Sequence, residues 1–434
     1  MSRVRGRSDE AVQEKSILGI TFSGKEFAKF QEHFAILIAL SIITKFAVVF
    51  STTEIFRSFI DIFDIAVYFQ YAMQVMEGQI PYADFSLEYP QLSLIIILVP
   101  LIFTLLTHDA GTYVVVHQVF MSVFDVLTVL LVYLIALKVS DQKRAFISGV
   151  LCATAFSSAY FVLTKYDAFP MFLLMLSLFL FIYRKETPGY LASAAGFLAK
   201  WFPALAIPYY MVHEHMSGRD VRAICRRLVT PAVLVLVVTL PFAVLDSSGF
   251  LATYTEHAGR TALAHSFCYY ADFILENLFG LSLFTQVSLF LTAAVELLLI
   301  GYYYSMKNTS AEYLCAFLFF STFAFIIFNK VFSPQYLLWI TPFLAIFLAR
   351  SYKEIVLFYA IQVWMYLEFP LLYRSIYIND GYFIGDGNPF LSAPFLFFTV
   401  KFVLLFAAFG AVWLSLKHPD LRVALAPLYR EKSA

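Results

Sequence analysis

The stretch Ile60–Leu94, IDIFDIAVYFQYAMQVMEGQIPYADFSLEYPQLSL, is the most polar segment between two strongly apolar neighbours. On a helix, the polar side chains share one face at spacings of three and four residues: Asp61, Asp64, Tyr68 and Tyr71. The apolar side chains share another face: Ile62, Ile65, Phe69, Ala72 and Met76. Gly78 and Pro81 end this helix, and Pro90 starts a new apolar helix at its first turn. The pattern predicts a helix that lies along a membrane surface, with its aspartates facing water or a site.

Composition sets the class of protein. Of the 434 residues, 61% are hydrophobic and only 14% are charged, whereas about 25% of the residues in soluble proteins are charged. We therefore predict an all-α, polytopic membrane helical bundle without an independent soluble domain. The formal net charge is zero, so nothing indicates nucleic acid as a partner. The four cysteines have neither metal-ligand spacing nor the pattern of a disulfide framework.

The N-terminal 30 residues are basic and have no small-residue cleavage site of a signal peptide. We predict a cytoplasmic arm over residues 1–30, followed by a single membrane domain over residues 31–434. The first membrane helix is expected at His33–Phe50, where Lys45 reaches the membrane boundary or faces a cavity.

Two later apolar segments are awkward as membrane spans, because a spanning helix needs about 20 residues. Segment 90–107 is slightly short, and segment 189–212 is interrupted by Lys200-Trp201-Phe202-Pro203. The basic loop residues are expected in the cytoplasm: Lys138, Lys143, Arg144, Arg184, Lys185, Arg219, Arg222, Arg226 and Arg227. All of them fit if 90–107 does not cross and 189–212 is a hairpin of two half-length helices. Counting both segments as single spans puts two basic loops outside. Either count gives about twelve helices, with both termini in the cytoplasm.

The preferred count places every unusually polar stretch on one outer side of the membrane. These stretches are 51–111, the Lys165-Tyr166-Asp167 turn, the Lys200 turn, 246–280, Asn329–Gln335 and 374–393. We therefore predict one extracytoplasmic cavity lined by all of them, with 51–111 as a catalytic loop of interfacial helices.

Three motifs in this order resemble those of the GT-C superfamily. Residues 64–90 carry Asp64-x-x-x-Tyr68, Gly78-x-x-Pro81-Tyr82-x-Asp84 and Glu88-Tyr89-Pro90, similar to the first outer loop of bacterial and archaeal polyprenyl-phosphate-mannose-dependent mannosyltransferases. Lys200-x-x-Pro203 resembles a later element of those proteins. Residues 329–339, NKVFSPQYLLW, look like a motif shared with GPI mannosyltransferases. One departure is Gln91, which stands where a second proline is usual.

The resemblance implies a GT-C-like bundle in the plasma membrane with its active site at the extracytoplasmic face. It implies a polyprenyl-phosphate sugar as donor, with mannose or another hexose transferred with inversion. The acceptor is a hydroxyl of a glycan, glycolipid or glycoprotein. A loop aspartate acts as the base.

The predicted catalytic residues are carboxylates, because a sugar hydroxyl is a poor nucleophile that needs a base within hydrogen-bond reach. Asp64 heads the matched motif and is the expected base. Asp61 is interpreted as a helix cap that replaces Asp64 if the register slips. Glu88 either caps the next helix or joins the site, where it orients the acceptor or binds a divalent metal together with Asp64. No DxD motif is present, so no metal site is predicted.

The leaving group is a lipid phosphate, whose growing charge needs cationic or hydrogen-bonding partners. The candidate substrate-binding residues are Lys330, Gln335, Lys200, Lys165, Asp167, His265, Arg260 and Tyr68. Four of them have simpler explanations: Lys330 as a lysine marking the membrane boundary, Lys165 and Asp167 as a pair within a turn, and Arg260 as a helix partner of Glu256.

A polyprenyl-lipid or sugar transporter is the main rival, because broken helices and buried charges also mark transporters. The absence of an internal repeat, and carboxylates in an outer loop rather than at the midplane, favour the enzyme. A non-catalytic scaffold in envelope assembly is the second alternative.

Overall fold

The computed structural model describes residues 15–17, 20–22, 24–58, 60–107, 109–378 and 388–417. The regular structure in these ranges is helical, apart from a short antiparallel pair of strands, β1 (Lys15–Ile17) and β2 (Ile20–Phe22), and loops join the helices. The helices are α1 (Gly24–Phe50), α2 (Phe63–Met76), α3 (Ser93–Thr107), α4 (Ala110–Val139), α5 (Gln142–Ala153), α6 (Phe156–Thr164), α7 (Ala168–Ile182), α8 (Glu186–Ala199), α9 (Ala206–Met216), α10 (Val221–Leu245), α11 (Ser247–Gly259), α12 (Phe267–Phe279), α13 (Phe284–Met306), α14 (Ala311–Ile327), α15 (Leu337–Phe347), α16 (Tyr352–Tyr366) and α17 (Ala393–Lys417). The predicted all-α bundle is confirmed.

Within the described residues, six helical segments are long and apolar enough to cross a membrane: α4, α10, α13 and α17, and α1 and α16 together with the helical turns that extend them to Ile55 and Leu371. Helices α5 and α6 form a seventh candidate span, bent by 52° at the break between them. The shorter helices α7, α8, α9, α14 and α15 lie among them, which gives twelve elements between the two ends of the described bundle. The chain is therefore a multi-pass integral membrane protein.

The helical hairpin predicted within 189–212 is present. Helix α8 ends before Lys200, and a 3-10 turn at Phe202–Leu205 leads into α9. At the turn the hydroxyl of Ser193 donates to the carbonyl of Pro203 over 2.8 Å. At the open end, the Tyr190 hydroxyl donates to Glu214 over 3.2 Å. The hairpin therefore enters and leaves the bundle at one end.

Helix α3 begins and ends at the same end of the bundle, as the sequence predicted for 90–107. At its start, the amide of Leu92 donates to the carbonyl of Leu198, which lies beside the Lys200 turn. At its end, the Thr107 hydroxyl donates to Thr112 at the start of α4 over 2.9 Å. The start of α3 differs from the prediction, because Pro90 belongs to a turn and the helix begins at Ser93.

The start of α1 and the buried face of α2 also differ from the sequence predictions. Helix α1 begins at Gly24, so the end of the predicted arm is already helical. The buried face of α2 consists of Ile65, Tyr68 and Ala72, which mixes the predicted polar and apolar faces. Tyr68 turns inward because its ring packs against other aromatic rings, a contact that hydrophobic periodicity does not encode.

The turns between helices separate into two ends of the bundle. The end that contains Asp61, Asp64, Lys165 and Lys200 is called the site face. The opposite end is called the basic face, since it carries the Lys and Arg residues at the termini of the crossing helices: Lys138, Lys143, Arg144, Arg184, Lys185, Arg219, Arg222, Arg226, Arg227, Lys307, Arg350, Lys353 and Lys417. All basic loop residues that the sequence assigned to the cytoplasm lie on the basic face.

An ion pair inside the bundle joins α1 to α4. The ammonium of Lys45 contacts Asp125 and also donates to the hydroxyl of Ser41, and Lys45 is only 6% exposed. A charge in an apolar bundle is costly unless it is paired, so this contact fixes how the two helices are rotated against each other. Asp125 faces the interior, as predicted, and Lys45 faces it rather than the membrane boundary.

The α8–α9 hairpin depends on a close approach at Gly196. A Cβ at this position would lie 2.5 Å from the ring carbon of Pro203, which cannot move away without shifting the turn. We expect Gly196→Ala to destabilise the fold by about 1–3 kcal/mol, the usual cost of overpacking. The check is thermal unfolding of the purified protein in detergent. Gly301→Ala in α13 is the control, since nothing lies within 4 Å of a Cβ there. An unchanged melting temperature for Gly196→Ala would contradict this packing.

Candidate active site

The two carboxylates that the sequence singled out lie at the start of α2. Asp61 precedes the helix, and its Oδ1 accepts a hydrogen bond from the amide of Phe63 over 3.2 Å. Its own amide donates to the hydroxyl of Tyr160 over 2.9 Å, which fixes the entry of α2 against α6. Asp64 lies in the first turn, where the helix dipole favours a negative charge. The N-cap position of α2 is Ile62, so Asp61 lies one residue before the cap and is not the predicted helix cap, although its side chain accepts from the first amide of the helix.

Lys165 joins these two carboxylates. It lies in the turn between α6 and α7, and its Nζ is 2.7 Å from Oδ2 of Asp61 and 3.1 Å from Oδ2 of Asp64. Burial opposes the charge of Lys165, but the two aspartates outweigh that effect and raise its pKa. Burial also raises the pKa of Asp64 from its ordinary value of 3.8, against the opposing charge of Lys165. Asp64 is thus a carboxylate with increased basicity that remains 23% exposed in its side chain.

A second ion pair lies beside the first. Asp167 starts α7, and its Oδ1 accepts from the ammonium of Lys200 over 2.7 Å and from the indole of Trp339 over 2.6 Å. The Asp167 side chain is 1% exposed, whereas that of Lys200 is 19% exposed. This pair therefore ties α7, the α8–α9 hairpin and α15 together while leaving the cation accessible.

Three tyrosines lie between the two ion pairs. The rings of Tyr68, Tyr89 and Tyr166 contact one another with centroids 5.1–5.7 Å apart. The ammonium of Lys200 lies 4.7 Å from the centre of the Tyr166 ring. Burial raises the pKa of all three hydroxyls well above the ordinary value, so they stay protonated and able to donate hydrogen bonds. Of these, Tyr68 was predicted as a substrate-binding residue.

The loop after α2 is covered by α11. The guanidinium of Arg260 lies 2.8 Å from Oε2 of Glu88, and the hydroxyl of Thr253 donates to the carbonyl of Leu87 over 2.8 Å. A Cβ at Gly249 would lie 1.8 Å from the carbonyl oxygen of Tyr82, so only glycine permits this approach. Because α3 begins at Ser93, Glu88 is five residues too early for its N-terminus, and Glu88 instead pairs with Arg260 across the loop.

The turn between α14 and α15 also lies on the site face, where it contacts the loop after α11. The carbonyl of Lys330 accepts from the amide of Leu263 over 3.2 Å, and burial lowers the pKa of the Lys330 ammonium. Gln335 lies half-buried in a short 3-10 turn before α15. This turn thus supports the loop after α11 at the edge of the site.

His265 lies in a separate buried cluster. Its ring and the ammonium of Lys401 both face the carboxylate of Glu368, with Nδ1 at 3.6 Å and Nζ at 2.9 Å from the same oxygen. The hydroxyl of Tyr377 donates to that oxygen over 2.7 Å. Burial lowers the pKa of His265, which is 2% exposed. The structure thus places this predicted ligand residue inside a structural network rather than beside Asp64.

Several residues of this face were not found from the sequence. Glu368 and Lys401 are charges inside apolar segments, a signal that marks buried partners in membrane proteins and could have revealed them. Trp339 was seen only as part of a motif, and nothing in its spacing predicts the hydrogen bond to Asp167. Gln91, the departure from the family pattern, is 4% exposed, and neither of its amide atoms has a hydrogen-bond partner within the described ranges.

The polar stretches do meet on one face where they are described, but neither of the two cavities described, one of which opens at the opposite end of the bundle, is the predicted cavity lined by all of them. Contacts join 61–64, the Lys165 turn, the Lys200 turn, the loop after α11 and the 329–335 turn on one face. The part of 374–393 from 379 to 387 lies outside the described residues, whereas Tyr377 reaches the Glu368 cluster. Among the residues described, no three His, Cys, Asp or Glu side chains lie close enough to hold a metal ion.

Comparison with known proteins adds no identification. No family model matches the chain, and no curated protein matches its sequence.

The Lys165 cluster generates a pH-dependent prediction. The Lys165→Gln substitution removes the cation and leaves the carboxylates of Asp61 and Asp64 facing each other. We expect the free energy of unfolding to fall by about 2–3 kcal/mol, because breaking a buried ion pair is strongly destabilising. The pKa of Asp64 then rises further, so the folded state binds more protons than the unfolded state. Stability must therefore increase as the pH falls, and the deficit shrinks toward pH 4.

Thermal unfolding in detergent at pH 7.5, 6 and 4.5 measures this deficit. A triple variant that adds Asp61→Asn and Asp64→Asn to Lys165→Gln is the control and should recover much of the loss at pH 7.5. A deficit that is equal at all three pH values would show that Lys165 contributes packing and not charge.

Proposed function

We propose that this chain is an integral membrane glycosyltransferase. It transfers a hexose, with mannose as the first sugar to test, from a polyprenyl-phosphate donor to an acceptor hydroxyl, with inversion at the sugar carbon. The observation that carries this proposal is the grouping of Asp64, Asp61, Lys165 and Lys200 at one end of a membrane bundle. This grouping provides a base and two cations at the depth where a lipid phosphate meets water.

In the proposed reaction the acceptor oxygen attacks the anomeric carbon while Asp64 takes its proton. The bond between that carbon and the phosphate oxygen breaks, and the polyprenyl phosphate leaves with the electron pair. Burial that raises the pKa of Asp64 makes it a better proton acceptor than an ordinary aspartate. Because the acceptor oxygen displaces the phosphate in a single step, the configuration at the anomeric carbon is inverted. Asp61 is the positioning residue, because it holds Lys165 and the start of α2.

The leaving phosphate gains negative charge, which the site cations can stabilise. Lys200 is the better placed of the two, since its side chain is 19% exposed and that of Lys165 only 7%. The hydroxyl of Tyr166 is engaged by the carbonyl of Ala199 over 3.2 Å, so Tyr89, the least buried of the three tyrosines, and Tyr68 are the candidate donors for sugar or phosphate oxygens. Lys330, Gln335, Arg260 and Glu88 lie at the rim, where they are candidates for contacts with the acceptor.

The surface beside the site suits a lipid carrier. Around the start of α2, large apolar side chains are exposed, among them Phe63 at 71%, with Ile60 and Ile62 next to it. Along α3, another exposed apolar row includes Ile102, Phe103 and Leu106. An exposed apolar surface of this kind is favourable in a membrane boundary and costly in water. The lipid tail of the donor can therefore stay in the bilayer while its sugar reaches Asp64.

The first experiment tests Asp64 directly. Membranes with the wild-type chain are incubated with polyprenyl-phosphate-[3H]mannose, and transfer of label to an acceptor fraction is measured. We expect Asp64→Asn to lose about 10²–10⁴-fold in rate, the usual contribution of a general base. Glu276→Gln on α12 is the matched control, since Glu276 is an exposed carboxylate at the same face. Label transfer by Asp64→Asn at the wild-type rate would reject Asp64 as the base.

The orientation is tested separately. Because Lys and Arg are enriched at the basic face, we propose that this face is cytoplasmic and that the site face is extracytoplasmic in the plasma membrane. Cysteines are introduced at two exposed positions, Glu77→Cys at the site face and Lys185→Cys at the basic face, after the exposed native Cys225 is changed to serine. An impermeant maleimide should label Glu77→Cys in intact cells and Lys185→Cys only in opened cells. The reverse pattern would place Asp64 in the cytosol.

A transporter of polyprenyl lipids or sugars is the second candidate. The observations that favour it are the broken helices α5–α6 and α8–α9 and the buried ion pairs Lys45–Asp125 and Glu368–Lys401, which are also features of transporters. Flux of a labelled lipid-phosphate sugar across vesicles without transfer of label would favour this function. A mass shift in an envelope glycan after loss of the chain would instead identify both the sugar and the acceptor.

A further inference from the structure

A cavity of about 430 Å³ opens on the basic face, on the opposite end of the bundle from Asp64. Its walls come from the ends of α4, α7 and α9 and from the turns that follow α7, α9 and α13. This volume lies in the range of small-molecule binding sites. The cavity is therefore large enough for a phosphate-bearing headgroup, and nothing in the proposed reaction uses it.

The two acidic residues that line the cavity are already neutralised. Arg219 lies 2.8 Å from Glu214 and 3.7 Å from Glu186. Arg227 lies 2.6 Å from Glu214 and 3.3 Å from Glu186. Two guanidinium groups thus balance two carboxylates, and this network closes one side of the cavity without a net charge.

Two further cations line the cavity outside that network. Lys138 lies at the end of α4, where its Nζ is 5.3 Å from the centre of the Tyr183 ring. Arg184 lies in the turn between α7 and α8. Within the described ranges neither forms an ion pair with a carboxylate. The cavity therefore has an excess of two positive charges, in the form of one ammonium and one guanidinium at its mouth.

The backbone conformation of Arg184 is consistent with a functional role for its side chain. Its φ of 64° lies in the left-handed region, at the end of a helix where glycine is usual. The turn is closed by the amides of Arg184 and Lys185, which donate to the carbonyls of Phe181 and Leu180. A non-glycine residue is strained in this conformation, and such strain is common where a side chain has a functional position.

We propose that this cavity binds a phosphate ester through Lys138 and Arg184. Arg184 can donate two hydrogen bonds to phosphate oxygens, and Lys138 adds a point charge. Because the cavity lies at the ends of membrane-crossing helices, it sits at the depth of lipid headgroups, where basic pockets between helices bind anionic lipids. The phosphate can belong to such a lipid or to a soluble phosphate ester, and the two sources are distinguished by experiment. The proposal is independent of the chemistry at the site face.

The test measures binding to the full-length chain purified in a neutral detergent. Native mass spectrometry gives the affinity for dioleoyl phosphatidylglycerol and dioleoyl phosphatidylcholine, and calorimetry gives the affinity for glycerol 1-phosphate. The variants are Lys138→Gln, Arg184→Asn and the double variant. Asparagine is chosen because it tolerates the left-handed conformation. Lys185→Gln is the matched control, since it removes an exposed positive charge next to Arg184 but not from the cavity lining.

We expect each single substitution to weaken phosphatidylglycerol binding about 5-fold and the double variant about 30-fold, from the contribution of each basic residue near a membrane surface. Phosphatidylcholine binding and the Lys185→Gln variant should change less than 2-fold. If glycerol 1-phosphate binds as tightly and the same variants weaken it, the phosphate site stands and its ligand is soluble. Wild-type affinities in both single variants would overturn the proposal. These single variants decide the question even if the double variant fails to fold.

Discussion

The site face depends on one cation held between two carboxylates. Lys165 follows α6, while Asp61 and Asp64 lie at the start of α2 about a hundred residues earlier, and their attraction helps to bring these segments into register. Each of these charges would cost several kcal/mol if it were buried alone at the end of an apolar bundle. Their pairing removes that cost and fixes the position of α2. Because Tyr160 also holds the Asp61 amide, α6 supports both the backbone and the side chain of this aspartate.

The same principle is repeated around this pair. Asp167 binds Lys200 and Trp339, which connects α7, the α8–α9 hairpin and α15 beside the first cluster. Glu368 gathers Lys401, His265 and Tyr377 where α16 and α17 meet the loop after α11. Most side chains of the helices are apolar, and contacts between apolar side chains have no preferred direction. Nonpolar packing alone therefore specifies the rotation of a helix about its axis poorly. Directional contacts between buried charges specify it well.

The two ends of the bundle carry different chemistry. On the site face, the cations are engaged by aspartates and tyrosines that leave an accessible, basic carboxylate at Asp64. On the basic face, Arg219 and Arg227 satisfy two glutamates, and Lys138 and Arg184 remain directed to a cavity. The short helices of the α8–α9 hairpin contribute residues to both the site face and the basic face. Helices α8 and α9 turn back at Lys200, so one hairpin contributes Lys200 to the site face and Glu214 to the basic face.

Much of this arrangement was accessible from the sequence. Apolar length and basic loops predicted the membrane bundle, the hairpin at Lys200 and the placement of α3, because these follow from the thickness of a bilayer and the distribution of charge. Asp61, Asp64, Lys165, Asp167 and Lys200 were predicted to share a face for the same reason. The partners within that face were not predictable. Arg260 pairs with Glu88 rather than Glu256, Tyr68 turns inward, and His265 joins Glu368 and Lys401.

The sequence by itself therefore determined that the chain forms an apolar helical bundle and which polar residues meet at one end of it, since hydropathy and charge act over whole segments. Only the tertiary structure decided which acid meets which base, because ion pairs depend on distances of about 3 Å between residues far apart in the chain. Helical periodicity predicts only on which face of its helix a side chain lies. The rotation and approach of neighbouring helices, set by contacts such as that of Gly196 with Pro203, decide what that side chain touches.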